Sequence, residues 1–444
     1  MARNATVAGH GLSDLEIWAS PEPTVARVRG NEVRDQLAET GHEARDGDTG
    51  LLADLGIAAT RYPVLWEKTA PLDPLRPDLR WARRRLGALR ASGVEPIVTL
   101  LHHGSGPRYT SLVDERFAHV FAAYAGAVAA AFPWVNRWTP INEPLTTARF
   151  ATLYGHWYPN GREDHAAFGR AITGEALGIL LAFEAIRRSV PDAQLVLTED
   201  LQGFTALDAG VFEYAEHKRE RSFLSIELVM GRVVRGHPMH RYLRETCGVG
   251  QAMLGEIAAR ATVPGLIGWN YYPHSERTLC SAAGGRARNE PTVSFGPHPL
   301  CAVPLLRAAY ERIRLPFGLS EVHVNAPEQQ RVRWLLQRYD DLMVLAREGL
   351  PVRAFGAWAA FGLVDWDSLL TRRDGLAEDG VYTCAGATAT PRPTAVAHAI
   401  RSLARGERPS MPQGPGWWEG RPGEHERHFS RHSDPAATPA GVAD

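Results

Sequence analysis

Short apolar runs alternate along this chain with longer segments in which apolar residues recur every three or four positions. The runs read as strands over Leu12 to Ala19, Gly56 to Pro63, Pro96 to Leu101, Trp138 to Asn142, Gln194 to Asp200, Gly265 to Tyr272, Leu315 to Glu321 and Val352 to Trp358. Between them, helical spacing predicts a short helix over Gly50 to Leu55 and longer ones over Pro77 to Ser92, Asp114 to Phe132, Gly174 to Ser189 and Gln251 to Ala261. A helix starting at Pro327 and a last one over Pro393 to Leu403 follow. Strands alternating with helices point to the α/β class and to a single closed (β/α)8 TIM barrel rather than an open doubly wound sheet. Residues 1–405 are expected to form this barrel. Residues 406–444, rich in Pro, Gly, Arg and His, read as a disordered tail anchored at most by Trp417 and Trp418. Cys280 to Pro299 reads as a loop, and Glu213 to Arg221 as a long polar stretch.

At 444 residues the chain exceeds an average domain, yet one barrel with long loops fills that length. Forty-nine Lys and Arg balance fifty Asp and Glu, for a formal charge of −1, so there is no electrostatic case for a nucleic-acid partner or an anionic membrane surface. Small neutral molecules are the natural ligands. The four cysteines show no CxxC pairing, which suits free thiols in a reducing, cytoplasmic setting. Neither a leader-like segment nor a run of eighteen apolar residues is present. No nucleotide-binding glycine motif appears, so no cofactor is expected. His102 and His103 raise the question of a metal, but neighbours on a strand point to opposite faces, and no metal is expected there. His425, His428 and His432 fall in the tail and read as solvated.

The chemistry concentrates at the strand ends. Trp138-Thr139-Pro140-Ile141-Asn142-Glu143-Pro144 delivers a glutamate at the end of the fourth strand, and Leu319-Ser320-Glu321 delivers another at the end of the seventh. Two carboxyls at the mouth of one barrel are what glycosidic-bond cleavage requires, one to protonate the leaving oxygen and one to attack carbon or activate water. A bland alternative makes Glu143 a solvated residue after a capping Asn, or the two glutamates a structural ion pair or a sugar-binding relic.

With these residues in view, the chain resembles the glycoside hydrolase family 1 β-glycosidases over roughly Trp18 to Leu403, as a divergent bacterial branch. Thr139-Pro140-Ile141-Asn142-Glu143-Pro144 matches the family's Thr-x-Asn-Glu-Pro motif intact, while Ser320-Glu321-Val322-His323 retains only part of its Thr-Glu-Asn-Gly motif. The resemblance implies a retaining β-glycosidase acting on a small-molecule or oligosaccharide glycoside, with Glu143 as acid/base and Glu321 as nucleophile. It implies that Arg61 lies beside the nucleophile and keeps it ionised, that Tyr272 of Asn270-Tyr271-Tyr272 hydrogen-bonds it, and that His102 and Asn142 contact the sugar. It also implies that Trp358 stacks on the sugar, and that Asp365 and Trp366 stand where the family grips outer hydroxyls. Asp365 replaces a family Glu. The family's glutamine after the first strand has no clear equivalent, unless Glu22 supplies its grip. Transfer to an alcohol or amine acceptor in small-molecule biosynthesis, and a non-catalytic sugar-binding barrel, remain open alternatives at this level.

Overall fold

A computed structural model describes residues 15–281 and 301–419, with the backbone of 292–295. Eight parallel strands close into a barrel: β1 Glu16–Ala19, β2 Ala59–Pro63, β3 Glu95–His102, β4 Arg137–Asn142, β5 Gln194–Asp200, β6 Leu266–Tyr271, β7 Phe317–Val322 and β8 Val352–Ala357. Each pairs with its sequence neighbours, and β1 closes the ring against β8. Helices α1 Asp48–Ala53, α2 Arg80–Ala91, α3 Phe117–Ala131, α4 His165–Ser189, α5 Gln251–Ala259, α6 Ala302–Ile313, α7 Glu328–Arg347 and α8 Ala395–Ala404 follow the strands in turn. α4 is long and apolar enough to span a membrane, but most of its apolar stretch is buried within the protein.

Alternation along the strands sorts the barrel interior into a floor and a roof. Trp18, Ala59, Ile97, Val196, Leu266 and Ala354 form an apolar cluster separate from the main core. Two or four residues further along the same faces come Ser20 and Glu22, Arg61, Thr198 and Asp200, Asn270, and Trp358. Polar groups therefore gather at the C-terminal mouth, over a dry floor. Register irregularities interrupt the ladder between β4 and β5 before Asn142, and between β6 and β7 before Glu321. Such breaks re-aim the side chains beside them. Gly318 and Gly356 permit this close weave: a Cβ on Gly356 would lie 2.3 Å from the Ser320 carbonyl oxygen.

The sequence pattern missed α6 and the helix Phe212–Arg221, whose few apolar positions made it look like a polar loop. α4 begins well before Gly174, at an N-cap supplied by Asp164. Within Cys280 to Pro299, expected as a loop, Thr292–Phe295 is a strand antiparallel to Glu276–Cys280; residues 282–291 and 296–300 lie outside the described residues. Backbone pairing with its neighbour, rather than side-chain pattern, makes that strand. From the stretch assigned to the tail, residues 406–419 run over α7: Trp418 is fully buried against Trp334, with ring centroids 5.0 Å apart, and Glu419 accepts from Arg333. Residues 420–444, with the three tail histidines, lie outside the described residues, as do residues 1–14.

Candidate active site

Glu321 lies one residue before the end of β7, with one carboxylate oxygen accepting from the Arg61 guanidinium and the other from the Tyr272 hydroxyl. Arg61 also donates to Asn142 Oδ1 at 2.6 Å, and Thr198 Oγ1 donates to the same oxygen at 2.7 Å. Asn142 Nδ2 lies 3.2 Å from His102 Nε2. A continuous hydrogen-bonded layer therefore links β2, β3, β4, β5 and β7 across the mouth.

Glu143 follows β4 in the left-handed region, at φ 45°. This turn, with Pro144 opening a short helix over Pro144–Thr152, swings its side chain back over the barrel rather than along the helix. Asn270 Nδ2 donates to Glu143 Oε1 at 2.5 Å, and Asn270 Oδ1 accepts from Ser320 at 2.6 Å. Because Asn270 is the register partner of Glu321, it ties the two carboxyl-bearing strands together.

The two carboxyls differ electrostatically. Burial, then the charges of Glu321, Asp200 and Glu199, hold the Glu143 carboxyl well above the ordinary range. Burial also raises Glu321, but Arg61 and Tyr272 oppose it. Arg61 does lie where the sequence placed it; burial outweighs it, so Glu321 sits above a free glutamate instead of below.

His102 lies parallel to Trp358, with centroids 5.5 Å apart and planes 7° apart, and the Arg61 guanidinium is 4.9 Å from the Trp358 ring centre. Trp358 Nε1 donates to Glu22 Oε2 at 3.0 Å. Burial lifts the Glu22 carboxyl to about 7. Glu22 therefore stands in the site, on the same inward face as Trp18. Trp366, like Tyr272, packs against the cluster of Trp358, Ala359 and Leu363, and its buried indole N–H has no partner among the described residues.

Two placements differ from expectation. Asp365 joins the site only indirectly: Arg34 donates to one of its oxygens and the Leu376 N–H to the other, both at 2.8 Å. Its backbone is left-handed, at φ 57°, and the shorter side chain ends on the buried Arg34 of the short strand Val33–Asp35, between β1 and α1. His103 enters the site, although strand alternation pointed it away. A φ of 56° ends the alternation there, and its Nε2 lies 3.7 Å from Glu143. Nothing in the composition signalled that turn; a histidine pair at a strand end was the only hint. Among the described residues no group of three or more His, Cys, Asp or Glu is arranged to hold a metal ion.

Comparison with known proteins agrees with this architecture. The model for glycosyl hydrolase family 1 matches residues 8–277. Beta-glucosidase 34 of Oryza sativa is 28% identical over 140 residues, covering 30% of this chain and 27% of the relative; the rice relatives are thus matched over only part of their length. Furcatin hydrolase of Viburnum furcatum is 21% identical over 410 residues, covering 78% of this chain and 74% of the relative. The family 1 β-glucosidase of Thermotoga maritima superposes with a TM-score of 0.74 at 14% identity, over 91% of this chain and all of that one. Its complex with deoxynojirimycin superposes with a TM-score of 0.71 at 15% identity, over 89% and 98% of the two chains. Those structures share the barrel, and the family model matches more than half of the sequence: this chain belongs to glycosyl hydrolase family 1.

Proposed function

We propose that the protein is a retaining β-glycosidase that cleaves a β-O-glycosidic bond through a covalent glycosyl-enzyme intermediate. Glu321 attacks the anomeric carbon, and Glu143 donates its proton to the leaving oxygen. The observation that carries this reading is the asymmetry of the pair: Glu321 is held by a cation and a phenol, while Glu143, hydrogen-bonded by the Asn270 amide, is raised well above its ordinary range. A shared proton therefore resides on Glu143. Once Glu321 is esterified its charge disappears, the second cause of the Glu143 shift goes with it, and Glu143 becomes a base toward water.

Asn142, His102 and Trp358 supply the sugar side of the pocket, with Glu22 in the place of a neutral grip; Trp366 offers an unpaired indole N–H to a hydroxyl. The Thermotoga maritima enzyme, in complexes with deoxynojirimycin and glucoimidazole, supports a sugar ligand for this fold. Few cysteines support a cytoplasmic setting.

The test is Glu143→Ala supplied with an aryl β-glycoside bearing a good leaving group, with and without azide. A glycosyl azide of retained β configuration is expected, with rate restored by azide. An α-azide, or wild-type turnover without azide, contradicts the assignment.

A further inference from the structure

Beyond Glu143, the elements after β4, β5 and β6 carry four cations whose charges act on one tyrosine, Tyr154. Arg149 lies on the short helix that Glu143 opens, Lys218 and Arg221 on the helix Phe212–Arg221, and Arg277 on the strand Glu276–Cys280. Lys218 Nζ is 3.3 Å from the Tyr154 hydroxyl. Arg149 is 1% exposed and Arg221 4%. Burying cations is costly unless anions answer them. Here the answer is thin: Asp200 is 3.9 Å from Arg149 and is already engaged by Ser275, and among the described residues no carboxylate lies within ion-pair distance of Lys218, Arg221 or Arg277. Arg149 otherwise donates to Gln202 Oε1 at 3.2 Å and to Thr146 at 3.1 Å.

A second feature points to a ligand. The Gln202 side chain is 8% exposed, yet its amide Nε2 has no hydrogen-bond partner. Gln202, Arg277 and Arg219 border a cavity of about 220 Å³ that also touches Asp200 and Glu276, the latter already accepting from the Tyr271 hydroxyl. The cluster adjoins the proposed chemistry: His274 stacks on Tyr272 with centroids 5.1 Å apart, and Arg277 Nε donates to the His274 carbonyl at 2.9 Å. The charge imbalance is visible in its neighbours too. Burial works to raise the Tyr154 hydroxyl, but Lys218, Arg149, Arg221 and Arg277 take it well below its usual value; burial, opposed by Tyr154 and helped by the arginines, brings Lys218 down to about 8.

We propose that Arg149, Lys218, Arg221 and Arg277, with the open amide of Gln202, form an anion subsite for the leaving group, so that the preferred aglycone carries a carboxylate or another oxyanion. This rests on the reading of Glu143 as the acid, since that fixes which side the aglycone occupies. Guanidinium and ammonium donors to an oxyanion make the stronger class of hydrogen bond, and screening by salt should weaken the preference.

Binding and turnover test it separately. Calorimetric titration with 4-hydroxybenzoate reads the anion subsite without any reaction; binding is expected, weakened at least tenfold in Lys218→Met and Arg277→Met, whose folding is checked by circular dichroism. No binding to the wild type at millimolar ligand, or equal binding to both variants, overturns the subsite. In parallel, kcat/KM is compared for 4-carboxyphenyl and 4-acetylphenyl β-glycosides, whose leaving groups differ in charge. A preference for the carboxylate of tenfold or more that collapses in both variants is expected. Binding without such a preference refutes the leaving-group placement. Binding with no turnover of either glycoside, by contrast, counts against the Glu143 and Glu321 assignment and with it the leaving-group side, while the anion site itself stands.

Discussion

Tyr272→Phe isolates one of the two donors on Glu321 while preserving ring and volume. The phenol reaches the carboxylate directly, and Arg61 occupies the other oxygen. A hydrogen bond to a charged group contributes about 1.5–3 kcal/mol, and at about 1.4 kcal/mol per pH unit its loss raises the Glu321 pKa by roughly one to two units. The sign follows from the Tyr272 hydroxyl favouring the ionised form of Glu321. Without it, attack by the carboxylate requires a higher pH. The acid limb of kcat/KM, measured with an activated aryl β-glycoside, should therefore move to higher pH by that amount, and the plateau should fall as well. An acid limb that stays in place while the plateau falls would contradict this role, because Tyr272 would then act on the sugar and not on Glu321.

Glu199 is buried, and burial, against several hydrogen bonds, raises it to about 7. Its folded-state pKa is above the unfolded value, so the folded protein holds the extra proton, and stability falls as pH rises between the two values, by about 3 kcal/mol. Denaturant midpoints across that window should flatten in Glu199→Gln; an unchanged slope contradicts this. Trp418→Ala removes a fully buried indole that donates to Gln337 at 2.7 Å, and should cost about 3–5 kcal/mol in urea unfolding. A loss below about 1 kcal/mol would mean the segment over α7 is not part of the folded unit. Gly356→Ala puts a methyl group against the backbone of Ser320, next to Glu321, and should reduce activity more than 100-fold or prevent folding; near-normal activity would mean that the strands can separate there.

The barrel was legible because its strands are continuous apolar runs, as expected when both faces are covered. β5 matches its expected bounds, and the other strands differ by a few residues at their ends. The proposed catalytic pair could be picked out because both glutamates sit where apolar runs end. What stayed hidden depends on backbone turns and long-range partners. His103 enters through a left-handed φ that its residue type does not announce. Asp365 was expected to grip a sugar, but its side chain is taken by Arg34, on a strand more than three hundred residues away in sequence. The Arg149, Lys218, Arg221 and Arg277 cluster is invisible in sequence because its members follow three different strands and the overall charge is balanced.

The nucleophile is read out by intact-mass spectrometry after incubation with 2-deoxy-2-fluoro-β-glycosides of gluco, galacto, manno and fuco type carrying good leaving groups, followed by peptide mapping. One fluoroglycosyl adduct per chain, located on Glu321 and absent from Glu321→Gln, is the predicted result. An adduct mapped to another carboxylate, such as Glu22 or Glu143, would contradict the account, as would no adduct on folded protein that still cleaves the corresponding unfluorinated glycoside.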